Sequence, residues 1–258
     1  LVNYFSRNGD NIIIGKLLGS EELGIYTKAY QIFMMPIYQV RNPITNVTTP
    51  VLSKLQNKSQ RFKNYCSLIV EILAVLSFPV SLVCYLEAAF IINVFLGPGW
   101  EDAIPVFKTL AWLGPLQVIL GMRGSVMISM GYTRRFFKMG LAYAIVTIAS
   151  FLIGIQFGLL GLVKAYVMGQ YFLFVPSLYY SFYKTPFTVG AFFRAVAPQM
   201  LPSLVLVCIH IYLNTVIEWN IYISISSIGI ILISYALVNY FRKDFREKAM
   251  DIIRKVIS

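Results

Sequence analysis

The chain has 258 residues, 58% of them hydrophobic and 13% charged, with a formal net charge of +11. Ordinary soluble domains run at roughly 45–50% apolar and 25% charged, so a soluble fold is excluded. Long apolar runs recur from end to end, each able to supply the roughly 20 residues of a spanning helix, and they define an all-α polytopic membrane protein.

Segments of about ten strictly alternating residues, the mark of a membrane β-barrel, are not found. The basic residues fall mostly in loops between apolar runs. That pattern reads as retention of Lys and Arg on the cytoplasmic side, and no nucleic-acid partner is expected. Residue 1 is Leu and lies inside an apolar helical pattern without a basic n-region or cleavage site. It is therefore not a signal peptide, and the sequence reads as part of a longer chain whose N-terminal portion is missing.

In chain order, span a covers about Leu1 to Leu18 and ends in the turn Gly19-Ser20-Glu21-Glu22. Span b, about Leu23 to Leu52, is longer than a bilayer requires and holds Pro36, Pro43 and Pro50, which predict a bent or tilted helix. A polar loop with Lys54, Lys58, Arg61 and Lys63 leads to span c, about Tyr65 to Phe95, whose end is expected to form a short interfacial helix. The breaker-rich loop Gly97-Pro98-Gly99-Trp100-Glu101-Asp102 precedes span d, about Ala103 to Met130. Span e covers about Phe136 to Phe157, span f about Leu160 to Tyr183, span g about Val189 to Leu213 and span h about Ile221 to Tyr240. The tail from Arg242 is basic, with Phe245, Ala249, Ile252, Ile253 and Val256 on one helical face, as in a surface-lying amphipathic helix.

The loops alternate in charge. Those joining b to c, d to e and f to g are basic, as is the tail; those joining a to b, c to d and g to h carry acidic residues. The positive-inside rule then gives about eight spans with both ends of this chain in the cytoplasm.

Catalytic and metal constellations do not emerge. His210 is the one histidine, so an H-E-x-x-H zinc helix is excluded within this chain and a Ser-His-Asp system is disfavoured. Cys66, Cys84 and Cys208 are widely spaced and read as packing residues. No cofactor and no enzymatic activity are expected.

Charge inside the spans is the informative feature. Lys16, Lys28, Glu87, Lys108, Lys138, Lys164 and Arg194 lie near predicted span ends, where snorkelling accounts for them. Arg7, Asp10, Arg41, Glu71 and Arg123 sit deeper, where a charge costs at least about 2.5–3.5 kcal/mol and must face a wet cavity or a partner. Asn3, Arg7, Asp10 and Asn11 share one face of span a, and Gln31, Tyr38, Asn42, Thr45 and Thr49 form a stripe on span b flanked by Arg41. These faces predict a polar cleft with Arg7, Arg41 and Arg123 as substrate-cavity residues and Asp10, Asn11, Asn42 and Glu71 as polar or ion-coupling residues. Interhelical hydrogen bonding and an Arg7–Asp10 pair are the structural alternative. Surplus guanidinium charge selects anionic ligands, and in a membrane an anionic ligand with an apolar part is a phospholipid-like or polyprenyl-phosphate-linked molecule.

The run Asp10-Asn11-Ile12-Ile13-Ile14-Gly15-Lys16-Leu17-Leu18-Gly19, followed by Leu23-Gly24-Ile25-Tyr26 and Ala29-Tyr30, resembles the start of the C-terminal half of Wzx-type polysaccharide flippases of the multidrug/oligosaccharidyl-lipid/polysaccharide exporter superfamily. Pro50-Val51-Leu52-Ser53-Lys54-Leu55-Gln56, Phe78-Pro79, Phe95-Leu96-Gly97-Pro98-Gly99-Trp100, Gly131-Tyr132-Thr133 and Gly158-Leu159-Leu160-Gly161 extend the resemblance over roughly residues 1–200. It implies a MATE-like transporter of two six-helix lobes. Residues 1–183 would be the second lobe, 184–241 an additional helix pair and 242–258 a cytoplasmic tail. It further implies a bacterial inner-membrane protein that moves undecaprenyl-diphosphate-linked oligosaccharide repeat units for O-antigen, capsule or exopolysaccharide by alternating access. Its partners would be that lipid-linked oligosaccharide, membrane lipids and the missing N-terminal lobe. The competing readings are a cation-coupled multidrug exporter relying on Asp10 and Glu71, and a membrane enzyme acting on lipid-linked glycans. The short outer loops disfavour the enzyme.

Overall fold

The computed structural model describes the backbone of residues 2–216 and 221–241, with side chains described for residues 9–118, 120–210, 212 and 223–240. The basic tail 242–258 and the turn with Glu218 and Trp219 lie outside these residues. Among the described residues there is no strand.

Helix α1 (Val2–Leu17) turns at Gly19 into α2 (Ser20–Leu55). Gly19 has φ 104°, a conformation that L side chains rarely adopt, which explains a glycine there. Glu21 and Glu22 occupy the first turn of α2 and complement its dipole. With 36 residues α2 is roughly 54 Å long at about 1.5 Å per residue. That is longer than the roughly 30 Å hydrocarbon core of a bilayer. Pro36, Pro43 and Pro50 all lie inside this helix.

Helix α3 (Ser59–Leu86) gives way at Glu87 to the short α4 (Ala88–Leu96), the expected break at the end of span c. Span d departs from expectation. In place of one continuous helix it forms α5 (Ala103–Ala111), α6 (Gly114–Ile119) and α7 (Gly121–Ser129), with a 53° bend between the first and the rest. Gly114-Pro115 lies at the bend, where proline lacks the N–H that would carry the helix through. Helices α8 (Thr133–Gly154) and α9 (Gly158–Phe182) follow, then α10 (Val189–Val216) and α11 (Ile221–Phe241).

Among the described residues, Ser59–Leu86, Thr133–Phe182, Val189–His210 and Ile223–Tyr240 are long and apolar enough to cross a membrane, and the bent α5–α7 stretch makes a fifth. The Thr133–Phe182 stretch folds back on itself at Gly158, φ 74°, so α8 and α9 pack side by side as a hairpin. Their 22 and 25 residues each suffice for a roughly 30 Å crossing.

Phe33, Phe62, Leu73, Phe107, Leu110, Leu162, Leu178 and Phe192 are fully or nearly fully buried in one core that draws on α2, α3, α5, α9 and α10. Helix α11 docks through a smaller cluster of Leu82, Leu206, Ile231 and Tyr235. It is also stapled to α10: Gln199 Nε2 donates to Asn239 Oδ1 at 2.9 Å, and the Ser203 and Tyr235 hydroxyls bond to each other. Such pairs hold helices together where lipid removes the hydrophobic drive. Outside the core, Phe137, Ile153, Phe172, Leu201, Leu204 and Ile233 are exposed, an apolar surface suited to acyl chains and not to water.

The α8–α9 hairpin depends on close approach. A Cβ added at Gly154 would stand 2.6 Å from Leu162 Cα and 2.7 Å from the Gly161 carbonyl oxygen, whereas one at Gly140 meets nothing within 4 Å. Gly154→Ala should therefore lower stability by about 1–3 kcal/mol, read as a drop in thermal melting temperature in detergent. Gly140→Ala should be neutral or stabilising by up to about 1 kcal/mol.

Candidate functional site

Asp10 is half-buried on α1, and its carboxylate is met from the neighbouring helix. Tyr26 on α2 donates its hydroxyl to Asp10 Oδ2 at 2.9 Å, and the Asn11 N–H donates to Oδ1 at 2.9 Å. Tyr26 stacks on Tyr30 with ring centroids 5.7 Å apart, and Tyr30 faces Tyr166 on α9. Gln117 on α6 donates to the Tyr166 hydroxyl at 3.5 Å. A polar path of phenols thus runs from the carboxylate on α1 across α2 to α9 and α6. The i, i+4 spacing of Tyr26 and Tyr30 puts both rings on one face of α2.

Arg41 is half-buried on the same helix. Its guanidinium lies 5.2 Å from the Tyr38 ring centroid, and its aliphatic stem rests against Gly121 at the start of α7, where a Cβ would come within 3.0 Å of Arg41 Cδ. A side chain at position 121 would displace it. Among the described residues Arg41 forms no ion pair.

Arg123 is turned elsewhere. On α7, Gly121 and Ser125 share the face toward α2, where Thr49 Oγ1 donates to Ser125 Oγ at 2.9 Å. A residue midway between two positions one turn apart points to the opposite side. Arg123 accordingly packs toward α8, 6% exposed: Nη1 donates to the Tyr143 hydroxyl at 2.9 Å, Nε to the Leu120 carbonyl at 3.3 Å, and the guanidinium lies 4.7 Å from the Tyr143 ring centroid. Tyr143 passes the chain on to Ser177 at 3.1 Å. This guanidinium is bound into the wall of the bundle and does not share a space with Arg41.

The remaining candidates divide similarly. Asn11 is half-buried beside Asp10, Asn42 is exposed, and Glu71 is 6% exposed within α3. The Arg7 side chain lies outside the described residues. Of the polar stripe on α2, Thr45 and Thr49 face α7, while Gln31 and Asn42 are exposed. Lys16, Lys28, Lys108, Lys138, Lys164 and Arg194 are exposed, as residues near span ends should be, but Glu87 is 3% exposed. Glu87, expected to snorkel at a span end, is instead buried, and the links of Tyr26 to Asp10 and of Tyr30 to Tyr166 were not among the expectations. The Tyr26/Tyr30 spacing behind Asp10 was the available signal. Among the described residues no group of three or more His, Cys, Asp or Glu is placed to hold a metal ion.

A second feature is an apolar groove of about 340 Å³ between α3, α6, α9 and α10. Phe78 and Leu82 line it from α3, Leu116 from α6, Phe174 from α9, and Val196 and Met200 from α10. Leu116 faces the groove, and Gly121, just over one turn further along, carries Arg41.

A bundle of apolar helices with charges held inside it by phenols, beside an apolar groove, defines a multi-pass helical membrane protein. Its fold is that of lipid II flippase MurJ in the inward closed conformation, with a TM-score of 0.68 at 16% identity over 86% of this chain and 48% of that one. Residues 1–105 match the family described as Polysaccharide biosynthesis protein. The teichuronic acid biosynthesis protein TuaB of Bacillus subtilis is 35% identical over 132 residues, covering 51% of this chain and 27% of TuaB. The lipopolysaccharide biosynthesis protein WzxC of Escherichia coli is 22% identical over 171 residues, covering 66% of this chain and 35% of WzxC. Over the matched residues the chain is similar to these polysaccharide biosynthesis proteins. It spans about a quarter of the length of TuaB, about a third of WzxC and about half of MurJ.

The two arginines should respond differently. Arg123→Lys forfeits the planar stack on Tyr143 and one of its paired donors, and is expected to cost about 1–3 kcal/mol of stability. Tyr26→Phe, which removes a donor from Asp10, should cost a similar amount, about 1–3 kcal/mol. Arg41→Gln should leave stability within about 0.5 kcal/mol. Thermal unfolding of the three variants in detergent checks the ranking.

Proposed function

We propose that this chain is the second lobe, with an additional helix pair, of a flippase for lipid-linked oligosaccharides. The substrate is a polyprenyl-diphosphate-linked repeat unit, carried across the bacterial inner membrane for surface polysaccharide synthesis. The chain works as a transporter and not as an enzyme, together with the remainder of a longer protein. Both ends of this segment face the cytoplasm, and residues 1–183 rock as one lobe against the other around the substrate.

Arg41 carries this reading. It is a half-buried guanidinium within a membrane bundle, and no carboxylate neutralises it among the described residues. Such a group needs an anion, and a diphosphate accepts its paired donors. The apolar groove supplies the complementary element, a place for the prenyl chain of the same molecule. Asp10, engaged by Tyr26, stands close enough to the phenol path to take a coupling ion or proton without leaving the bundle.

Arg41→Gln in the full-length protein, reconstituted in liposomes with a fluorescent polyprenyl-diphosphate oligosaccharide, should slow translocation about ten- to hundredfold, the worth of one charged hydrogen-bonding partner. The amount of folded protein should not change. Translocation at the normal rate would refute the cationic-cavity reading.

A further inference from the structure

Glu87 is the joint between α3 and α4, and it is 3% exposed. Its Oε1 accepts a hydrogen bond from Ser227 Oγ of α11 at 2.5 Å and lies 4.0 Å from Nδ1 of His210 on α10. His210 is itself 9% exposed. A carboxylate and an imidazole, both buried and drawn from different helices, therefore meet at one end of the bundle. Among the described residues Lys108 of α5 also faces the pair, its ammonium 5.0 Å from the Tyr85 ring centroid. Helix α4 carries no titratable side chain. On α10 the nearby titratable side chains Cys208 and Tyr212 are exposed, and on α11 Tyr235 is engaged by Ser203, two turns from Ser227.

The location matters because of the groove. Val196, Met200, Ser203 and Val207 line it from α10, and His210 continues that row by one step of helical spacing. Tyr85 lines it from α3, two positions before Glu87. The pair thus sits where α10 and α3 close over the end of the groove.

We propose that Glu87, His210 and Ser227 form a proton-binding site that latches the α10–α11 pair to α3 and closes this end of the apolar groove. With His210 neutral, Glu87 has the Ser227 hydroxyl and a neutral ring beside it. With His210 protonated, a buried carboxylate faces an opposite charge across the α3–α10 boundary, and attraction between them is strong where water does not screen it. Imidazole is the group here that changes charge between about pH 5 and 8. The latch is therefore shut at low pH and released as pH rises through the titration of His210. The proton site rests on side-chain geometry alone; its bearing on transport rests on the groove being the path of the lipid chain.

The test uses the full-length protein in lipid nanodiscs, with a spin label on the native exposed Cys208 and a second on Ala89→Cys, an exposed position of α4. Lowering the pH from about 8 to about 5.5 should shorten the label separation by about 1–2 Å or more, the scale of helix shifts at interfaces. His210→Gln and Glu87→Gln should each abolish that response. Glu87→Gln keeps the side-chain volume and an acceptor for Ser227, so it guards against loss of fold. Separations independent of pH, or an unchanged response in His210→Gln, would overturn the latch. A pH response lost in His210→Gln while its translocation keeps the wild-type pH profile would support the proton site and refute its link to the groove.

Discussion

Inside a membrane bundle a buried charge is costly unless a partner meets it, and this constraint organises the described helices. Asp10 is met by the Tyr26 hydroxyl, Arg123 by the ring and hydroxyl of Tyr143, and Glu87 by Ser227 and His210. Each of these contacts joins different helices, so satisfying a charge and assembling the bundle are the same event. Arg41, resting on Gly121 and Tyr38, lacks an ion-pair partner among the described residues. Unlike Arg123, which donates to the Tyr143 hydroxyl and the Leu120 carbonyl, Arg41 is only half-buried.

Tyrosine is the recurring solution because its ring is apolar and its tip is not. It reaches across from one helix to another while keeping most of its surface in the hydrocarbon-like interior. Tyr26, Tyr30 and Tyr166 extend this into a path through α2 and α9, and Gln117 ties the path to the broken α5–α7 stretch. The break itself sits at Gly114-Pro115, beside the groove that Pro115 and Leu116 help to line. A bend at this point leaves α6 and α7 free to face different neighbours, α7 turning Gly121 and Ser125 to α2 and Arg123 to α8.

Much of the architecture was legible from composition and period. Membrane helices must satisfy their backbone internally, so long apolar runs bounded by Gly, Pro and charged turns translate directly into helices. The expected spans are helical, and the short helix closing span c is α4. The interruption of span d escaped this reasoning, because a Gly-Pro pair inside an apolar run can be tolerated in a membrane helix when neighbours re-satisfy the backbone. The polar residues were legible as a set and not as a site: helical spacing put Asp10 on a polar face, but it could not say that Tyr26 would meet it.

The sequence by itself determined that this is a multi-pass helical membrane protein, because hydrophobicity and loop charge are local properties that survive without neighbours. Tertiary structure decided which charges are bound and which is open. Arg41 and Arg123 look alike in sequence, each an arginine in a span without a nearby carboxylate. Helix rotation and packing turned one into the wall against Tyr143 and left the other half-buried against Gly121, and carried Glu87, expected at a span end, onto His210 and Ser227. Those outcomes depend on contacts between residues far apart in the chain, which no local pattern encodes.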